Sequence, residues 1–231
     1  MIKKTLFLTI LLIGTSGLFA QYKPIILGLR VGTSVDWMRP DAEHYSSEGV
    51  QTGFSWGLIA DFFFMENYSV LTGFNAQYLH GVLSFPGIMK MGTDTVATSG
   101  WLSRTYNLRY IQLPVSLKMQ AEVSKKVVLY GKLGIGTAFR IRAKADDVFT
   151  GEEGGTVENE TDISDEVTFM RESLIIGGGA KVNLKGSTAL IIDITYDGGF
   201  GNFLKGNNQV YPDVEQKAKL NFVELGVGVV F

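Results

Sequence analysis

The chain closes on Glu224–Phe231, "ELGVGVVF", where Val223, Leu225, Val227, Val229 and Phe231 alternate with Glu224, Gly226 and Gly228. Period two assigns a strand. One of its faces is wholly apolar and the other carries glycine and a carboxylate. Chain ends in water usually fray into polar residues, so a strand ending on an aromatic asks for an apolar solvent along one side.

Working back from that strand, the same alternation recurs in eight segments: Ile25 to Trp37, Thr52 to Phe64, Tyr68 to Leu83, Thr105 to Ala121, Val127 to Arg142, Val167 to Leu184, Thr188 to Phe203 and Lys219 to Phe231. The connections sort themselves. "MEN", "EVSKK" and "KGS" are tight turns, whereas Met38 to Gln51, Ser84 to Arg104, Ala143 to Glu166 and Leu204 to Ala218 are long. Strict alternation of short and long predicts an all-β, eight-stranded antiparallel up-and-down transmembrane β-barrel with short periplasmic turns and long extracellular loops. A Greek-key sandwich has no reason to sort its connections this way.

Alternation alone leaves the barrel's outside undecided, because a soluble lipocalin-like barrel is the inverse arrangement. Two features choose. Gly28, Gly32, Gly57, Gly73, Gly134, Gly136, Gly177, Gly179, Gly226 and Gly228 fall on the mixed face, where a narrow lumen needs small residues. Trp37, Phe54 and Trp56 gather at the long-loop ends, and Phe62, Phe64, Tyr68 and Phe231 at the short-turn ends, as in two interfacial girdles. The mixed face is then the inside. It carries Arg30, Asp61, Lys118, Lys132, Lys181, Asp193 and Glu224, charges of both signs that must pair at low dielectric. A structural plug of ion pairs is expected rather than an open pore.

The stretch "ADDVFTGEEGGTVENETDISDE" carries Asp146, Asp147, Glu152, Glu153, Glu158 and Glu160. It reads as a solvated, self-repelling loop, and as the surface for a partner or for cation-bridged lipopolysaccharide. Its spacing does not fit an EF-hand, and no metal site is assigned. His44 and His80, with Ser46 and Ser84 nearby, are the raw material for a rim enzyme acting on lipid or peptide, but their spacing carries no catalytic pattern. "GKLGIG" and "GGGAKV" lack the helix or the GK[ST] ending of a phosphate loop. No catalytic residue and no cofactor are expected.

Residues 1–20, with Lys3 and Lys4 before a short apolar run ending at Ala20, read as a secretory signal peptide, which leaves residues 21–231 as one barrel domain. Losing those two lysines takes Lys+Arg from 21 to 19 against 23 acids, a formal charge of -4, and argues against nucleic acid as a partner. The chain has no cysteine, so disulfides, thiol chemistry and a lipidated N-terminal cysteine are all excluded.

Pro114 interrupts a strand, "YIQLPVSLK" from Tyr110 to Lys118, and should mark a bulge or bend. This strand resembles the tyrosine, aliphatic, proline and lysine motif of the PorT-like outer membrane β-barrel family of Bacteroidetes. "FAQ" at the signal cut and "RAKADD" at Arg142 are similar to that family as well. The resemblance implies a non-enzymatic barrel in the outer membrane, for some relatives an accessory of type IX secretion. Glu224, Gly226, Val229 and Phe231 resemble the C-terminal signal that hands barrels to their insertion machinery. The expected partners are therefore outer membrane lipid and lipopolysaccharide, that machinery, and secretion-system proteins.

Overall fold

The computed structural model describes residues 25–90, 97–151, 156–184 and 186–231. Residues 1–20, expected to be the signal peptide, lie outside the described residues. Ten strands among the described residues form one antiparallel sheet: β1 (Ile25–Pro40), β2 (Ser46–Ser47), β3 (Gln51–Met65), β4 (Tyr68–Lys90), β5 (Ala97–Ser124), β6 (Val127–Gly151), β7 (Thr156–Asp162), β8 (Met170–Asn183), β9 (Ala189–Gly199) and β10 (Ala218–Val230). Eight of them are staves. Around the ring the order is β1, β3, β4, β5, β6, β8, β9, β10 and back to β1. At the seam the Phe231 N–H donates to the Leu27 carbonyl at 2.9 Å and the Leu27 N–H to the Phe231 carbonyl at 3.2 Å. Closure leaves the staves without an unpaired edge at membrane depth, the condition for crossing a bilayer with strands.

The outward faces form a continuous apolar belt. Leu29 and Ile194 are each 58% exposed, and Trp56, Leu113, Leu133 and Leu225 are exposed beside them. An apolar surface wrapping the whole ring far exceeds what a water-soluble barrel exposes. Phe62, Phe64, Tyr68 and Phe231 rim its short-turn end, as the alternation predicts.

Two of the four expected long loops are mostly strand. Residues 84–104 continue β4 and β5, which pair as far as Lys90 and Ala97, and residues 143–166 continue β6 and add β7 on its flank. With β2 on the edge of β4, the strands β2, β4, β5, β6 and β7 form a sheet rising beyond the belt. The alternation changes phase here because the solvent changes. Within the belt of β5 the outward residues Ile111, Leu113 and Val115 are apolar, but above it the inward residues Leu102, Tyr106 and Leu108 are. The strand continues while its apolar phase reverses.

A β-bulge obscures β6 further. Arg109 pairs Arg142 and Tyr110 pairs Arg140, leaving Ile141 as the extra residue, so both Ile141 and Arg142 are exposed. A bulge shifts the parity of everything beyond it. Pro114 itself does not bulge. β5 holds its register there, while the β4 ladder omits Gly73 and Phe74, and Gly73 bends with φ 143°.

Strand ends near the upper rim also differ from expectation. β8 starts at Met170 rather than Val167, and β9 ends at Gly199 rather than Phe203. Val167 and Leu204 instead meet in an isolated bridge and point into a second core. That core lies inside the upper barrel, built from Met38, Leu79, Leu83, Phe85, Leu102, Tyr106, Phe149, Ile163, Phe203 and Leu220. Each such burial contributes about 2 kcal/mol, without lipid.

Candidate functional site

The lumen below that core is charged and paired. Arg30 on β1 donates to Asp193 Oδ1 on β9 at 2.7 Å and forms an ion pair with Glu224 on β10. Asp193 also accepts from Tyr130 at 2.9 Å, Lys132 at 3.3 Å and Thr195 at 3.2 Å, while Ser55 donates to Glu224 at 2.5 Å. Lys118 pairs with Asp61 nearer the short turns, its ammonium 4.7 Å from the Tyr130 ring centroid. Glycine makes the room: a Cβ on Gly226 would sit 2.3 Å from Arg30 Nη2, and one on Gly32 2.7 Å from Glu224 Cδ. Six of the seven charges expected in the lumen are thus joined in ion pairs. Lys181 lines the same space but has no ion-pair partner among the described residues.

A second tier, higher in the lumen, escapes sequence reading. Arg171 donates to Asp197 at 2.6 Å and to the Leu220 carbonyl at 2.7 Å. Gln112 and Ser173 donate to the same carboxylate at 2.7 and 3.1 Å, and Gln77 donates to Gln112 at 2.9 Å. Asp36 accepts from Ser34 at 2.5 Å and from the His80 backbone N–H at 2.9 Å. Asp197 alternates with the apolar residues of β9, but Arg171 has no partner that spacing along the sequence would show. Between the tiers the open space is a cavity of about 60 Å³, room for roughly two waters. Among the described residues, tiers of buried ion pairs fill the lumen beneath an apolar core.

Above the belt, the acidic stretch is not a solvated loop. Arg104 grips Asp147 with Nε and Nη2, both at 2.7 Å, and donates from Nη1 to Glu166 at 2.5 Å. Burial would lower the Arg104 guanidinium, but the hydrogen bonds to Asp147 and the nearby carboxylate charges outweigh it and hold the group above its ordinary value. Asn107 donates to Asp146 at 2.6 Å, and Lys144 pairs with Glu160. Of the carboxylates that the sequence suggests would repel, Asp146, Asp147 and Glu160 are spread over two strands and each meets a donor. Glu152 and Glu153 lie outside the described residues, and Glu158 is placed by its backbone opposite Val148.

Each histidine has a partner other than a serine. His80 Nδ1 bonds the Thr52 carbonyl at 2.9 Å, and the His44 ring stacks on Tyr211 with centroids 4.4 Å apart. Ser46 does meet Ser84 across β2 and β4. His80 and Ser84, four residues apart along β4, are about 13 Å distant, too far for direct proton transfer.

A closed antiparallel ring with an apolar outer belt, aromatic rims and a paired polar lumen defines a transmembrane β-barrel of the outer-membrane type. The chain belongs to the family described as the outer membrane protein beta-barrel domain, whose model matches residues 19–205. It is an outer membrane protein, which removes the soluble lipocalin-like alternative. Among solved structures it is similar to Neisserial surface protein A, at 11% identity over 90% of this chain and 97% of that one, TM-score 0.44. It is also similar to Ail, the attachment invasion locus protein of Yersinia pestis, at 13% identity over 89% and 98% of the two chains, TM-score 0.36. The outer membrane protease OmpT from Escherichia coli matches at 9% identity over 91% and 98%, TM-score 0.36. No curated protein sequence matches.

Proposed function

We propose that this barrel is a non-conducting, non-catalytic platform that presents its extracellular sheet to a protein partner. The observation carrying this reading is the apolar core that fills the upper barrel above two tiers of ion pairs. A solute would have to cross both. The same core stiffens the sheet β2–β4–β5–β6–β7, whose outward face carries Trp101 at 57% exposure with Ile88 and Val148 also exposed. Exposed aromatic and aliphatic side chains on a rigid sheet are typical anchors of protein interfaces. The likeness of Tyr110–Lys118 to the PorT-like strand makes components of a type IX-like secretion apparatus the first partners to test.

The test is photo-crosslinking from position 101 in native membranes, with single-channel recording on the purified barrel. The reading expects a discrete protein adduct that a crosslinker in the lipid-facing Leu133 position does not give, and no conductance. Stable ion conductance, or adducts to lipid alone from both positions, would overturn it.

A further inference from the structure

Pairs of outward cations stand at the top of the apolar belt. Arg109 on β5 directly opposes Arg142 on β6, and Arg39 on β1 directly opposes Lys219 on β10. Like charges opposed across a ladder repel. Elsewhere the chain neutralises such a contact: Lys118 and Lys132 oppose each other in the lumen, and each has an aspartate. The upper pairs have no ion-pair partner among the described residues. Lys144, two residues above Arg142, is already satisfied by Glu160.

The two pairs share one height. Through β4 and β3 the ladders carry Arg109 to Tyr78, Phe54 and then Thr33 on β1. Through β6, β8, β9 and β10 they carry Val115, six residues lower on β5, to Trp37, which puts Arg109 level with position 43 on β1. The routes differ because closed barrels have tilted, staggered staves. The ten-residue difference is shared over the eight steps of the ring, three of them on the β4 route, so the true level on β1 is about residue 37, two residues from Arg39. The height is also meaningful. Ten residue steps separate Met119, near the lower rim, from Arg109; at about 3.3 Å per step and a tilt of about 40° they rise roughly 25 Å, the thickness of an outer-membrane apolar band.

The surface at Arg109 is shaped. Its guanidinium lies 5.2 Å from the Tyr78 ring centroid, a cation–π contact, and the bulge at Ile141 turns Arg142 to the same side. Between them is a depression of about 340 Å³ bordered by His80 and Asn107, with Asp146 and Glu160 on its upper rim. Those carboxylates are bonded to Asn107 and Lys144. The Arg39–Lys219 side has a smaller depression of about 100 Å³, with Asp41 beside it.

We propose that Arg109 with Arg142, and Arg39 with Lys219, bind the phosphate groups of phosphorylated glycolipid in the outer leaflet. Guanidinium forks match phosphate oxygens in bidentate fashion, and at this height the anions that can reach them belong to lipid head groups. The inference rests on the barrel's place in the outer membrane, not on the platform role, and fails separately from it.

The full chain, folded in detergent micelles, is mixed with bis-phosphorylated lipid A, and binding is read by native mass spectrometry. Dephosphorylated lipid A and inorganic phosphate are the comparison probes. Lipid A is expected to bind, to weaken with salt, and to lose roughly tenfold affinity or more in R109Q/R142Q and again in R39Q/K219Q, while R109K/R142K, which keeps the charge without the bidentate fork, binds between wild type and R109Q/R142Q and certifies folding. Equal binding by wild type and the Gln variants would overturn the proposal. So would equal binding of the dephosphorylated lipid, or displacement by inorganic phosphate at concentrations comparable to the lipid's.

Discussion

Arg104 and Asp147, opposed residues on β5 and β6, meet through two parallel hydrogen bonds of 2.7 Å, well above the lipid belt. Both side chains are buried, at 10% and 2% exposure. Truncating one partner of such a pair leaves the other charged and unpaired, typically at a cost of about 3–5 kcal/mol. Arg104→Ala should therefore loosen the extracellular sheet, seen as faster proteolysis within residues 84–104 and 143–151, while the folded barrel keeps its heat-modifiable gel mobility. Because the guanidinium is held above its ordinary value, its contribution is complete at neutral and mildly alkaline pH and is lost on the alkaline side only in strong alkali. Neutral to mildly alkaline buffers should leave the sheet equally resistant.

Asp193 is the shared acceptor for Arg30, Lys132, Tyr130 and Thr195. Asp193→Ala strands Lys132 without its partner and should destabilise the barrel by about 3–5 kcal/mol. Lys181→Ala, which removes a cation with no ion-pair partner among the described residues, should cost less than about 1 kcal/mol. Urea titration in detergent, following the folded gel band, compares the two; similar midpoints would contradict the pairing.

Gly73 combines φ 143° with a close carbonyl, since a Cβ there would lie 2.0 Å from Leu58 O. Gly73→Ala should cost at least about 1–3 kcal/mol. Gly201→Ala, where a Cβ would meet nothing within 4 Å, is the control. The measurement is again the urea midpoint.

Deleting Ile141 should be tolerated, because Arg140 and Arg142 then pair consecutive residues of β5 and every side chain keeps its face. Deleting Ala145 should not be. It turns Asp147 and Phe149 outward, since a one-residue slip exchanges the faces of a strand. Protease resistance of the extracellular sheet distinguishes the two deletions.

Phe231 is exposed at the lower rim and its backbone closes the seam to Leu27. Removing it should lower the amount of barrel recovered in the outer membrane, with unassembled chain accumulating in the periplasm. Normal outer-membrane levels would dismiss Glu224, Gly226, Val229 and Phe231 as an insertion signal.

Where lipid and lumen act on opposite faces, the sequence is legible. Val223 to Phe231 and Phe54 to Phe64 show their orientation by alternation, and the lumenal charges follow from it. Legibility stops at Arg109 and Arg142. Above them, water replaces lipid outside and apolar side chains replace ion pairs inside, so Leu102, Leu108, Ala143 and Phe149 reverse the phase without ending the strands. Arg104 was hidden inside a supposed loop, and Arg171 and Asp197 could be paired only once the order and register of β8 and β9 were known.

The reversal of phase divides the molecule between two folding environments. The lower staves draw stability from lipid and cannot mature before insertion, whereas the upper core needs water outside it and cannot mature before the strands have crossed. Completion of the apolar cap is therefore a late event that only a fully threaded barrel can reach, and its protease resistance reports arrival at the cell surface.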